Sequence, residues 1–208
     1  MSDLVFYTNP QSRGLISHWM LEEVAEPYET VWLEYKTSMK SPEYLAINPM
    51  GKVPALTHLG SVITEAAAIC TYLAAIFPEK NLMPARENPK LADYYRWMFF
   101  AAGPFEMAVT THAHKWPVTE ENSESLGFGS YAETIDTIEL AIATGPYICG
   151  EQFTAADVYV GMHLDFGMQF GNIAKRDSFE EYVSRLRLRP AHQRANQICE
   201  ERTESVNH

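Results

Sequence analysis

Cysteine is scarce in this chain. Only Cys70, Cys149 and Cys199 occur among 208 residues; that is too few and too scattered for a disulfide framework, and the odd count leaves at least one thiol free. No CxxC pair is present, which argues against a dithiol redox site and a zinc knuckle. Cysteine usage of this kind points to a reducing cytoplasm. Long apolar runs are missing as well. The longest near-apolar stretch, Ala66 to Phe77, is about a dozen residues against the roughly 20 a membrane-spanning helix needs. The opening MSDLVFYTNP lacks the basic segment and long apolar core of a secretory leader, so none is expected. Positive charge is also in short supply. Sixteen Lys and Arg stand against 27 Asp and Glu, a formal charge of −11, which repels phosphate backbones and anionic lipid and disfavours nucleic-acid or membrane-surface partners. A local basic pocket for a small anion remains compatible with it.

Apolar content is ample. At 46% hydrophobic and 21% charged the composition excludes wholesale disorder, and the length allows one or two domains with a sizeable core. Asp3–Tyr7 reads as a short strand ended by Thr8, Asn9 and Pro10, a turn signal. From Ser12 on, Leu15, Ile16, Trp19, Met20 and Val24 recur at helical spacing up to Pro27. Glu29–Leu33 reads as a strand, and Ser41-Pro42-Glu43 as a helix start. Val53–Thr57 and Ser61–Thr64 read as a hairpin around His58, Leu59 and Gly60, followed by a helix over Glu65–Phe77. The order β-α-β-α-β-β-α implies a small mixed sheet with helices. Residues 78–87 have the polar and proline content of a linker. Beyond it, Pro89 to His114, Ser123 to Thr144, Thr154 to Phe170, Phe179 to Leu188 and Pro190 to Glu201 carry helical spacing, with Thr203–His208 frayed. The expected division is 1–77, a 78–87 linker, and an all-α 88–208.

Four segments carry candidate chemistry. Ser12, followed by Arg13 and Gly14, places a hydroxyl at a helix N-terminus, where unpaired N–H groups and the helix dipole favour an anion such as a thiolate; the same serine is also a good N-cap. Asn48-Pro49-Met50-Gly51-Lys52-Val53-Pro54 ends on an X-Pro bond at a strand start. In the cis form that bond would turn the Val53 backbone toward solvent, and the sequence leaves the isomer open. Glu65 and Ala66 open a helix, where a carboxylate and an N–H could hold the amine and carboxylate of an amino-acid head; Glu65 is also simply favourable with the dipole. Thr154 and Asp157 have capping-box spacing, with Phe153 and Val158 as a staple, and belong to folding rather than binding.

On these segments, the NPxGxVPxL run and Thr154-Ala-Ala-Asp157 above all, the chain resembles the cytosolic glutathione transferase superfamily over nearly its full length, in a bacterial-like, serine-type form. The resemblance implies a thioredoxin-like N-terminal domain, an all-helical C-terminal domain and a homodimer. It further implies glutathione as co-substrate, with no other cofactor and no metal. Carried over, Val53 before a cis Pro54 would pair with the cysteinyl backbone. Glu65 and the Ala66 N–H would hold the γ-glutamyl end. Lys40 and Lys52 are candidates for the glycyl carboxylate or, equally, solvated surface charges. Two departures stand out. Ala66 replaces the family's common serine, removing one hydroxyl contact. Ser12 and Tyr7 compete for the thiol: Ser12 beside Arg13 fits the serine-type arrangement better, while Tyr7 lies where tyrosine-type members place theirs. The implied activity is attack of an activated glutathione thiol on a small electrophile, a detoxification chemistry. The acceptor pocket is expected from Gln11, Phe105, Met107, His112 and Trp116, although aromatics at helical spacing are commonly core. His112 and His114, two apart, do not share a helix face as a metal pair would. The alternative is a relative that keeps the fold and binds without turnover.

Overall fold

Residues 3–207 are described by the computed structural model. Alternation in LVFYT decides the first strand, β1 (Leu4–Thr8): Leu4, Phe6 and Thr8 are buried, while Val5 and Tyr7 take the other face and are half-buried. Next come α1 (Gly14–Val24), β2 (Glu29–Trp32), α2 (Pro42–Leu45), β3 (Ala55–His58), β4 (Ser61–Thr64) and α3 (Ala66–Ile76). The sheet order is β2-β1-β3-β4, with β1 and β2 parallel and the other neighbours antiparallel. The hairpin turns on Leu59 and Gly60, both at positive φ, as a two-residue primed turn requires. Phe6 packs its ring on His18 of α1. On the opposite face Tyr7, Val31, Ile47 and Val53 pack against Leu33, Met39, Tyr44 and Ala55. Ser41 caps α2 by accepting the Tyr44 N–H, with Pro42 in the first turn. This β-α-β, β-β-α order is the thioredoxin-like arrangement, and a helical region follows it.

Contacts divide the chain into two compact units, one running to Lys80 and resuming at Leu188, the other Asn81–Arg187. The second holds α4 (Lys90–Phe100), α5 (Glu106–Ala113), α6 (Glu120–Ser123), α7 (Tyr131–Ile142), α8 (Ala155–Gln169) and α9 (Asp177–Arg187). Three sequence expectations need correction. The single helix over 89–114 is interrupted by a π-helical turn at Ala101–Phe105, because Pro104 has no N–H for the regular ladder and a wider turn absorbs the gap. The helix expected from Ser123 starts at Tyr131, where Ser130 and Glu133 cap each other's backbone. The last helix, α10 (Pro190–Asn207), belongs to the first unit and continues through residues expected to fray; of those, His208 lies outside the described residues. Among the described residues no helix is long and apolar enough to cross a membrane.

Charge explains where α10 docks. Arg189 holds Glu23 of α1 through two bonds of 2.6 and 2.7 Å, and Arg194 holds Glu22 at 2.9 Å. Beside them, Tyr28 donates to Glu22 (2.6 Å), which leaves its oxygen to accept from His18 Nε2 (2.8 Å). His18 Nδ1 then faces the Cys199 thiol at 3.6 Å. The ring closes from α10 through α1 and back to α10, with a neutral imidazole at its centre. Burial drives His18 down to about 4, against the opposing pull of Glu22. Its folded value lies below the unfolded 6.5, so its contribution to stability is complete above pH 6.5 and is lost as pH falls toward 4. From this group alone, unfolding free energy at pH 5 is about 2 kcal/mol lower than at pH 7. Asp157 acts in the opposite sense between about pH 4 and 6, because burial raises its carboxyl to about 6. The signal is therefore a difference: denaturant titrations of wild type and His18→Gln at both pH values should show the acid loss smaller by that amount in the variant. Equal losses would contradict this account.

Candidate functional site

The strand register brings three of the four chemical segments to one end of the sheet. Tyr7 pairs with Ala55, and Ala55 with Thr64. Beyond these residues lie the 9–14 loop, the Val53-Pro54 entry and the Glu65-Ala66 exit. Three strands side by side cover about 10 Å, close to the reach of three extended residues. The N-termini of α1 and α3 follow directly from this end, each with the positive pole of its dipole; in α1 the first N–H groups are already taken, Gly14 by Ser12 Oγ, Leu15 by the Ser12 carbonyl and Ile16 by the Arg13 carbonyl.

The 9–14 loop is tightly specified. Asn9 is buried; its amide donates to the Leu33 carbonyl (2.7 Å) and its Oδ1 accepts the Gln11 N–H (3.0 Å). Ser12 Oγ donates to the Asn9 carbonyl (2.7 Å) and accepts the Gly14 N–H (2.9 Å). Gly14 is required by close approach, since a Cβ there would stand 1.9 Å from Thr8 Oγ1. Tyr35, half exposed, donates to the Gln11 carbonyl (3.1 Å). Sequence reasoning assigned no role to Asn9 or Tyr35; Asn9-Pro10 reads only as a turn, and nothing local marks Tyr35. Tyr7 points into the cluster of Tyr44 and Val53, its ring 5.7 Å from Tyr44.

The second segment folds back on itself. The Lys52 carbonyl accepts from Tyr44 (2.5 Å) and Asn48 (2.8 Å), and Lys40 Nζ donates to the Met50 carbonyl (2.9 Å). Gly51, at φ 56°, leaves no room for a Cβ, which would fall 2.6 Å from the Met39 carbonyl. The Val53-Pro54 bond is cis, and among the described residues the Val53 N–H and carbonyl have no hydrogen-bond partner. In the third segment Glu65 sits at φ 68°, ψ 122°, with no side-chain cap on α3, a conformation a non-glycine residue adopts at some cost.

The remaining candidates are dispersed. Gln11, Lys40 and Lys52 are exposed. In the second unit Phe105 is fully buried, 6.1 Å from the His163 ring, so it is core there. Met107 is partly exposed, His112 stacks on Tyr131 at 3.9 Å, and Trp116 is exposed and stacks on His114 at 5.4 Å. All three cysteines are free and buried. Burial pushes the Cys149 and Cys199 thiols up to about 12 and raises Cys70 further, so none is a ready nucleophile at neutral pH. Among the described residues no group of three or more His, Cys, Asp or Glu could hold a metal ion.

Comparison with known proteins agrees with the fold. The family model described as glutathione S-transferase, N-terminal domain, matches residues 15–76. Glutathione S-transferase GST-4.5 of Xanthomonas campestris pv. campestris is 35% identical over 184 residues, covering 83% of this chain and 89% of that protein. GstA of Escherichia coli O157:H7 is 26% identical over 190 residues, 89% and 93% of the two chains. A solved glutathione transferase homolog from Sulfitobacter, with bound glutathione, is similar with a TM-score of 0.75 and 27% identity over 95% of this chain and 98% of that one. Its sheet unit, its helical region and its similarity to these proteins place the chain in the glutathione S-transferase family.

Proposed function

We propose that this protein is a glutathione transferase of the serine type, and that Ser12 activates the thiol. The observation that carries the reading is the convergence of the Ser12 loop, the unpartnered Val53 backbone and Glu65-Ala66 on one end of the sheet. Glutathione lies across that row. Glu65 takes the γ-glutamyl amine and the Ala66 N–H its carboxylate. Val53, before the cis Pro54, pairs with the cysteinyl backbone. Lys40 and Lys52 are assigned to the glycyl carboxylate. The thiol proton leaves to solvent, the thiolate forms a sulfur–carbon bond to the acceptor, and the acceptor's leaving group departs with its electron pair. Ser12 donates a hydrogen bond to the sulfur and keeps its own proton. The reading extends to a homodimer, for which exposed Leu59 and Val62 on the β3–β4 hairpin supply apolar surface, and to detoxification in a reducing cytoplasm.

One observation favours binding without turnover: the Ser12 proton is already given to the Asn9 carbonyl. A neutral hydrogen bond contributes about 0.5–1.5 kcal/mol and one to a charged acceptor about 1.5–3, so exchanging Asn9 for a thiolate is downhill and turnover is the better reading. Mixing glutathione with an activated aryl halide tests it. Conjugation above the uncatalysed rate supports the transferase, and saturable binding with no conjugation supports the alternative. Glu65→Gly separates affinity from folding. Glycine adopts φ 68° without strain, so stability should stay within about 1 kcal/mol of wild type, while loss of the charged contact weakens glutathione binding by about tenfold or more. Calorimetric titration and thermal melts measure the two; a fall in stability with unchanged affinity would contradict the assignment.

A further inference from the structure

We infer that Tyr35 is a positioning residue of the thiol site, holding the Gln11–Ser12 peptide so that the Ser12 N–H serves as a second donor to the glutathione sulfur. The inference rests on the reading of Ser12 given above. The exit of β2 is stitched to the end of β1 and the 9–14 loop at three places. The Leu33 N–H donates to the Thr8 carbonyl (2.8 Å), the Asn9 amide to the Leu33 carbonyl (2.7 Å), and the Tyr35 hydroxyl to the Gln11 carbonyl (3.1 Å). The last bond acts on a peptide plane. In a trans peptide the carbonyl and the following N–H point in opposite directions, so fixing the Gln11 carbonyl toward Tyr35 turns the Ser12 N–H away from it. Two nearby N–H groups are already used, Gln11 on Asn9 Oδ1 and Gly14 on Ser12 Oγ. The Ser12 N–H has no acceptor among the described residues. It lies on the residue whose hydroxyl is assigned to the sulfur, one residue before the turn that opens α1. A backbone donor held in place before the charge forms needs no reorganisation when the thiolate appears.

Tyr35→Phe keeps the half-exposed ring and removes only the hydroxyl. The full-length variant is titrated with glutathione bound, following the ultraviolet absorbance of the thiolate against pH, and steady-state rates are taken over the same range. The expected result is a higher apparent pKa of the bound thiol. Conjugation at neutral pH falls about three- to tenfold, the weight of one net hydrogen bond, recovers as pH rises, and leaves the KM for glutathione within about twofold. An unchanged thiol pKa overturns the inference, whether or not the rate falls, since a merely structural role would not move it. Ser12→Ala measured alongside keeps the two readings apart. If it raises the thiol pKa while Tyr35→Phe does not, Ser12 stands and Tyr35 falls; if neither does, the assignment of Ser12 itself is wrong.

Discussion

Replacing Ser12 by alanine should lower kcat for glutathione conjugation by roughly 10²-fold while glutathione still binds, the cost of removing one donor aimed at developing negative charge. Binding should survive because the contacts proposed for Glu65, Ala66 and Val53 lie on other segments of the same sheet end. Folding survives as well. The alanine gives up the bonds to the Asn9 carbonyl and from the Gly14 N–H, a loss of about 1–2 kcal/mol at a helix start, while the Asn9 amide still anchors the loop to Leu33. Tyr7→Phe is the control. The Tyr7 ring packs with Tyr44 and Val53, so removing its hydroxyl should change kcat less than about threefold, far below the cost of a lost catalytic donor. Steady-state kinetics with glutathione and an activated aryl halide, together with equilibrium binding, decide between them. A collapse in Tyr7→Phe with activity retained in Ser12→Ala would reverse the assignment.

Asp157→Ala should destabilise the protein by about 3–5 kcal/mol, the range for stripping the partner from buried polar groups, and lower Tm by roughly 10 °C in a domain of this size. Asp157 is fully buried at the start of α8. Its Oδ2 accepts the Thr154 N–H (2.8 Å) and hydroxyl (3.1 Å); its Oδ1 accepts the Ile148 N–H (2.7 Å) and the Tyr182 hydroxyl (2.8 Å). One carboxylate thus caps α8, closes the turn bridged by Tyr147 and Gly150, and ties in α9. Burial raises its carboxyl to about 6 even against four donors, so at neutral pH it is ionised and accepts from all of them. Asp157→Asn should cost nearly as much, because its amide nitrogen would face two of the donors. Thermal melts of both variants check this. An asparagine variant as stable as wild type would mean that shape rather than charge holds the helix start.

Much of this architecture is legible from local pattern, because local physics decides it. The alternation in LVFYT, the helical spacing of Leu15, Ile16, Trp19 and Met20, the Leu59-Gly60 turn and the Thr154–Asp157 box each lie within a few residues of what they specify. The start of α7 is equally local, and its signal stands in Ser130 and Glu133, although helical spacing alone runs past it. Pro104 was the visible mark of the π-helical turn, which periodicity misses because apolar spacing continues on both sides. What pattern does not show is long-range pairing. The bonds from Arg189 to Glu23 and Arg194 to Glu22 span 166 and 172 residues and draw α10 onto the sheet unit. For the site, the segments were readable but their stitching was not: Asn9 reaches Leu33 and Tyr35 reaches Gln11 across 24 residues each.

The central claim is that this sheet end ionises the glutathione thiol, and proton release on binding tests it most directly. Calorimetric titration with glutathione and with S-methylglutathione, each in two buffers of different ionisation enthalpy at neutral pH, measures the protons exchanged. A free thiol titrates near 8–9, so lowering it toward 7 makes glutathione release a substantial fraction of a proton on binding, whereas S-methylglutathione binds more weakly and releases none. Equal affinity and no proton release for both ligands would contradict the account.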